Sequence, residues 1–166
     1  LIDASVSEIV AQSYSAAQTA QARTHLFGVD TQLIADGTYY VATSEGDEST
    51  EAPSLVGAGG WSRRQTPFGG DQATEVQDPT LRDPATDPAI LRAFFVHPDW
   101  TRQGIGRRLL HTCEDAARAE GYTHFELVAT RSGVALYEAC GYRPTTEITI
   151  DLPGSLTLPA VTMVKP

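Results

Sequence analysis

Apolar residues recur at helical spacing or alternate strand-wise along most of this 166-residue chain. The switches between the two periods lay out its elements. Ile9, Val10 and Tyr14 fall near one face of a helix read over 3–14, and Ala/Gln-rich Ala16–His25 reads as a second helix that stops before Gly28. Thr38–Ala42 is β-rich and reads as a strand. Leu55–Trp61 reads as the next, and its small residues Gly57, Ala58, Gly59 and Gly60 invite close approach of another backbone or a ligand. Glu45–Ser54, polar and acidic around Pro53, is a loop. Segment 65–88 holds Pro67, Pro79, Pro84, Pro88, the pair Gly69-Gly70 and five acids. A loop this long is uncommon in a compact domain and is often functional. Ile90–Val96 is a third strand. The stripe Ile105, Leu109, Leu110, Cys113, Ala116 and Ala117 predicts a long amphipathic helix ended by Gly121. Phe125–Ala129 predicts a short buried strand, and Ser132–Ala139 a short helix stopped by Gly141. Thr146, Ile148, Ile150 and Leu152 alternate with polar residues, and Pro153-Gly154 turns the chain into a last strand, Leu158–Val164. There is no internal repeat, and residues 1–166 read as a single domain.

The densest chemistry lies between Val96 and the long helix. Seven residues of turn and loop lead to Gly104-Ile105-Gly106, and the first helical turn carries Arg107 and Arg108. A helix macrodipole favours acids there, so cations make sense if an anion sits among them. Free N–H groups at a helix start form an anion site, and glycine lets a phosphate approach closely. A P-loop would need Gly-Lys-Ser/Thr, which Arg107-Arg108 is not. A dinucleotide fingerprint would need a small residue where Leu109 stands and a tight strand-to-helix turn. The pattern looks like a pyrophosphate cradle; the alternative is a glycine-rich loop with no ligand.

Composition narrows the class. Charged residues are 20 % and hydrophobic residues 41 %, as in globular proteins. No apolar run approaches the roughly 18 residues of a membrane span, and no secretory signal is visible. The chain opens on Leu1 rather than Met, so some N-terminal sequence is expected to be missing. Cys113 and Cys140 have no metal-type spacing and read as reduced, buried thiols of a cytoplasmic protein without a metal. Residues 1–91 hold 13 acids and 4 bases, which is the whole formal charge of −9. A pI near 4.8 argues against nucleic acid as a partner. It allows a cationic substrate on the acidic half and a phosphate ligand on the neutral half, whereas a merely solvated acidic surface explains the charge equally well.

Downstream stands Thr130-Arg131-Ser132-Gly133-Val134-Ala135-Leu136-Tyr137-Glu138-Ala139-Cys140-Gly141-Tyr142. The succession of strand, loop, glycine pair, helix, strand and short helix with Leu-Tyr-Glu and a closing Gly-Tyr resembles the GCN5-related N-acetyltransferases. The likeness covers roughly residues 33–166, and Gly59-Gly60-Trp61-Ser62-Arg63-Arg64 looks like a run in uncharacterised bacterial members. It implies an α/β (α+β) domain with a mixed, splayed β-sheet flanked by helices. Acetyl-coenzyme A would lie in the V-shaped opening as acyl donor. The family's usual first strand is expected to be missing, because Leu1 runs almost straight into helix.

By the same resemblance, Arg102, Gln103, Gly104, Ile105, Gly106 and Arg107 match the pyrophosphate loop. Phe95 and Val96 match the strand end that pairs with the pantetheine arm, with the Val96 N–H toward the thioester carbonyl. Tyr137 matches the tyrosine that protonates the leaving thiolate; the alternative is a core aromatic. Thr101 replaces the loop's usual first Arg or Gln, Thr130 replaces the Asn that contacts pantetheine, and Ile90 stands where many members carry a glutamate base. Glu126, His97 or an acid of the 65–88 loop is left as candidate base, and Tyr39, Trp61 and Phe68 as candidate lining of a substrate pocket. The implied activity is acetyl transfer to a primary amine of a small molecule or peptide, with a cationic acceptor suggested by the acidic half. No nucleic-acid or membrane partner is expected. Family members often dimerise, which allows a homodimer. The missing strand glutamate keeps a second class open: an acyl-coenzyme A-binding module or sensor without turnover.

Overall fold

A computed structural model describes residues 1–44 and 53–166. Of the loop expected at 45–54, residues 45–52 lie outside the described residues. The helices are α1 (Ile2–Glu8), α2 (Ala16–His25), α3 (Thr31–Ala35), α4 (Ile105–Ala119) and α5 (Val134–Ala139). The strands are β1 (Tyr39–Thr43), β2 (Leu55–Ser62), β3 (Ala89–Val96), β4 (Phe125–Thr130), β5 (Arg143–Leu152) and β6 (Leu156–Lys165). They form one mixed sheet in the order β1-β2-β3-β4-β6-β5, in which only β3 and β4 run parallel. Residues 2–8 are helical, so the first described strand is Tyr39–Thr43, the one next to the edge of β2.

Two departures from the sequence reading have local causes. The helix expected over 3–14 breaks at Ile9, and Val10–Ser13 continues as a 3₁₀ turn. Ser15 starts α2 with a capping box: its hydroxyl accepts from the Gln18 N–H while the Gln18 side chain accepts from the Ser15 N–H. Tyr14, just before that cap, is extended, which ends the 3₁₀ turn. Helix α3 was not legible from periodicity because it is one short turn. It is nucleated by Asp30, whose Oδ1 accepts from the Leu33 N–H at 2.9 Å.

The core lies mainly between the sheet and α4. Leu110, Cys113 and Ala117 pack on Trp61, Leu91, Leu127 and Met163, and Ile105 and Leu109 pack on Val56. Gly57 allows this approach: a Cβ there would lie 2.6 Å from the Ile105 side chain. On the opposite face, Val6 and Val10 cover Phe95, while Ala22 and Leu26 cover Leu152 and Leu158.

The sheet splits at its centre. β3 and β4 are in register only over Ala89–Leu91 and Phe125–Leu127. Just beyond, Ala93 has φ 60°, and the register of β2 against β3 shifts between Ala58 and Gly60. A bulge with an extra residue bends its strand. Here the bend carries the end of β3 away from β4 and opens a V.

Candidate active site

A cavity of about 90 Å³ occupies the V. Leu91, Phe94 and Phe95 of β3 and Val128 and Thr130 of β4 form its sides. Tyr137 closes it from the α5 side. Val10, Phe27 and Phe68, with Gly28, Gly69 and Gly70, close it from the other face.

Tyr137 is 9 % exposed, its ring edge-on to Phe94 and Tyr142 at centroid distances of 6.4 and 6.0 Å. Among the described residues no group hydrogen-bonds its hydroxyl. Burial, aided by Cys113 and Cys140 nearby, pushes its pKa up, so the phenol stays protonated through the neutral range. Behind it Tyr142 donates to Glu114 at 3.0 Å, and Lys165 donates to both oxygens of that carboxylate at 2.9 and 2.7 Å. Glu114 is the single acid on the buried stripe of α4, and Lys165 and Arg118 neutralise it.

At the mouth, the chain from Val96 reaches α4 through Pro98–Trp100 and then Arg102 and Gly104, with φ 63° and 80°. Among the described residues none of the backbone N–H groups of 102–107 meets an acceptor. Successive free N–H groups with left-handed residues among them make an anion-binding concavity. Arg102, Arg107 and Arg108 are exposed beside it and form no ion pair with a described residue. A Cβ on Gly104 would meet nothing within 4 Å, whereas one on Gly106 would lie 3.0 Å from Leu136 and 3.7 Å from Val96. Gly104 thus serves the loop's conformation, and Gly106 lets α4 approach α5.

The sheet also orients a donor. The His97 N–H donates to the Val56 carbonyl at 2.9 Å, so His97 and Val56 form a hydrogen-bonded pair. Val96 and Gly57 are the alternate pair. The Val96 N–H therefore faces away from β2, to the side that β4 has left.

Other candidate residues fall elsewhere. Trp61, 1 % exposed, is in the core against Tyr122 and does not line the cavity. Tyr39 donates to the Ala93 carbonyl at 3.4 Å, beside the bulge rather than in the cavity, and burial with Asp30 nearby pushes its pKa up to about 12. Glu126 shares a face with Val128 and Thr130 but lies where β3 and β4 still pair, its carboxylate 4.0 Å from Arg82. The His97 Nδ1 accepts from the Asp99 N–H at 3.3 Å and caps the turn. Phe68 and Thr130 do line the cavity, and the Thr130 hydroxyl is 3.1 Å from that of Ser132.

Sequence reasoning missed Arg92 and Asp30. Arg92, 4 % exposed, lines the cavity. Its Nε donates to Asp30 Oδ2 at 2.7 Å, Nη2 to Asp30 Oδ1 at 3.3 Å and Nη1 to the Thr66 carbonyl at 2.7 Å. The signal was a lone charge inside the apolar run Ala89–Val96. Its partner, 62 residues away, is not readable from spacing.

The structure thus holds a splayed mixed sheet with a run of free N–H groups at one end of the V and Tyr137 lining it. The family model for the acetyltransferase (GNAT) domain matches residues 35–144, and the chain belongs to that family. Solved structures agree on the fold. A GCN5-related N-acetyltransferase from Rhodopseudomonas palustris superposes with TM-score 0.67 at 21 % identity, covering 99 % of this chain and 84 % of that one. Naa20 from Chaetomium thermophilum, in complex with a bisubstrate analogue, gives 0.58 at 18 %, covering 92 % and 84 %. The PaiA N-acetyltransferase from Thermoplasma acidophilum, in complex with coenzyme A, gives 0.58 at 15 %, covering 99 % and 87 %. No curated protein matches this chain. No described helix is long and apolar enough to cross a membrane.

Proposed function

We propose that this acetyltransferase moves an acetyl group from acetyl-coenzyme A to a primary amine by direct attack in a ternary complex. The observation that carries this reading is the continuity of the site. The free N–H groups of 102–107 back onto Val96 and Leu136 through Gly106. The next residue, Tyr137, lines the cavity beside β3, and no described group hydrogen-bonds its hydroxyl. The neighbours solved with coenzyme A or a bisubstrate analogue share the fold. The residues present fit the cosubstrate: the cradle with Arg102 and Arg107 suits a pyrophosphate, Phe95 and Thr130 line the V where a pantetheine arm would run, and Val96 ends β3 beside it.

Bound there, acetyl-coenzyme A supplies an activated acyl group as a thioester. The Val96 N–H stabilises the negative charge that develops on the carbonyl oxygen, a contribution worth about 3–4 kcal/mol for a fixed donor. The Tyr137 O–H delivers a proton to the departing sulfur. Its raised pKa does not forbid this, because the same apolar surroundings also raise the thiolate's affinity for a proton. Neither Glu126 nor His97 lines the cavity, so the amine enters neutral or passes its proton to water.

Thiol release from acetyl-coenzyme A with a panel of amines tests the reading. Tyr137→Phe keeps the ring packing and removes the proton, so kcat should fall by roughly 10²–10⁴-fold. Coenzyme A affinity and thermal stability should stay near wild type. Undiminished turnover would take the acid role from Tyr137. Tight acetyl-coenzyme A binding without turnover on any amine would make the chain a sensor.

A further inference from the structure

The wall facing β3 across the V carries chemistry that the acidic sequence conceals. The chain's charge of −9 lies in its first half, yet none of the five acids of the 65–88 loop lines the cavity. Asp71 accepts from the Thr31 N–H and hydroxyl, Asp78 from the Thr80 N–H, Asp83 from the Ala85 N–H and Asp87 from the Asp83 N–H. Glu75 is exposed. What this loop presents to the cavity is Phe68, Gly69 and Gly70. The crossing segment presents Phe27 and Gly28, and the 3₁₀ turn presents Val10. The one charged lining residue among those described is Arg92, a cation, neutralised by Asp30. Asp30 itself is buried and does not line the cavity, and both its oxygens already bind Arg92 while one also caps α3.

The wall is held in place. The Gly70 N–H donates to the Leu26 carbonyl and the Asp71 N–H to the Val29 carbonyl, both at 2.9 Å. A Cβ on Gly70 would lie 2.8 Å from the Gly28 backbone, so the two segments touch main chain to main chain. Phe27 packs edge-on to Phe95 at 6.2 Å.

We infer that the acceptor is a primary amine carrying an apolar, ring-sized group and no second positive charge, its apolar part held between Phe27, Phe68 and Val10. This rests on the acetyl-transfer reading, and it replaces the cationic acceptor suggested by overall charge. A second ammonium would enter a site whose lining holds no carboxylate among the described residues, at a cost that apolar contacts do not offset. The apolar side chains of Phe27, Phe68 and Val10 also favour the neutral form of the amine. That removes the need for a dedicated base, at the expense of a rate that follows the amine's own titration.

Phenethylamine and spermidine are compared on the intact chain by thiol release, and by calorimetric binding to its coenzyme A complex. Phenethylamine should have a kcat/KM about tenfold or more above that of spermidine, from burial of one ring against apolar walls. Its kcat/KM should rise about tenfold per pH unit below the amine's own pKa and change little with added salt. Phe68→Ala should raise its KM about tenfold with kcat nearly unchanged, the signature of lost uniform binding. Phe68→Glu should reverse the preference toward spermidine, provided both variants keep coenzyme A binding. Preference for spermidine in the wild type, weakening with salt, overturns the inference and leaves acetyl transfer standing. Failure of phenethylamine to bind the coenzyme A complex also overturns it. Binding of phenethylamine without turnover of any amine sustains the pocket and sinks the acetyl-transfer reading instead.

Discussion

At the scale of single residues, Gly104 and Gly106 share one motif and do different work. Gly104 sits at φ 80° with open space where a side chain would project, whereas Gly106 faces Leu136 across a helix contact. Gly104→Val adds about 1–2 kcal/mol of left-handed strain and projects into the cradle, so coenzyme A affinity should fall about tenfold or more. Calorimetry should show that loss, and the strain should lower the melting temperature by about 2–4 °C per kcal/mol. Gly106→Val instead crowds the contact between α4 and α5, where a Cβ would lie 3.0 Å from the Leu136 side chain, so its melting temperature should fall through overpacking. Unchanged coenzyme A affinity in Gly104→Val would remove the cradle from the site. Tyr137 belongs to the same scale. Its raised pKa means that kcat should show no falling limb from this group up to about pH 10, the ordinary tyrosine value.

At the scale of elements, β3 decides most. Its first three residues pair with β4 and its last three do not, and the bulge at Ala93 lies between. Arg92, next to the bulge, ties β3 through Asp30 to α3 and through the Thr66 carbonyl to the 65–88 loop. Breaking one partner of a buried pair leaves the other charge uncompensated. Arg92→Met should therefore cost about 3–5 kcal/mol in urea unfolding. Asn caps a helix as well as Asp does, so the double variant Arg92→Met/Asp30→Asn should recover part of that loss. Equal stability of the single variant and wild type would show that the pair holds nothing together.

At the scale of the molecule, the long loop is fixed at both ends rather than draped over the surface. Beyond Arg92, Arg64 binds Asp36 through two hydrogen bonds of 2.7 and 2.8 Å and donates to the Pro79 carbonyl at 2.9 Å. Arg64 and Leu81 also form a β-bridge. The Arg64 hydrogen bonds hold the Asp36 carboxyl below its ordinary pKa, against a smaller opposing effect of burial. A depressed folded-state pKa stabilises fully above the unfolded value and is lost as pH falls through the folded one. Asp36→Asn should therefore lower the melting temperature at about pH 6, and the gap to wild type should narrow toward about pH 3. A constant gap across that range would deny the pair its role.

Local forces explain which features were legible in the sequence. The stripe on α4, the alternation in β5 and the Gly104-Ile105-Gly106 loop involve neighbours a few residues apart, so spacing alone determined these elements and the loop that opens α4. The capping box that starts α2 was equally legible, in Ser15 and Gln18, at the boundary read between Tyr14 and Ala16. Only the tertiary structure decided the rest. It buried Trp61 in the core, took Glu126 away from the V, paired Arg92 with an aspartate 62 residues distant, and turned an acidic loop so that it shows the cavity a phenylalanine and two glycines. Those outcomes depend on which strands separate and which loops cross, and contacts between distant segments are set by packing of the whole chain rather than by any pattern within one stretch of it.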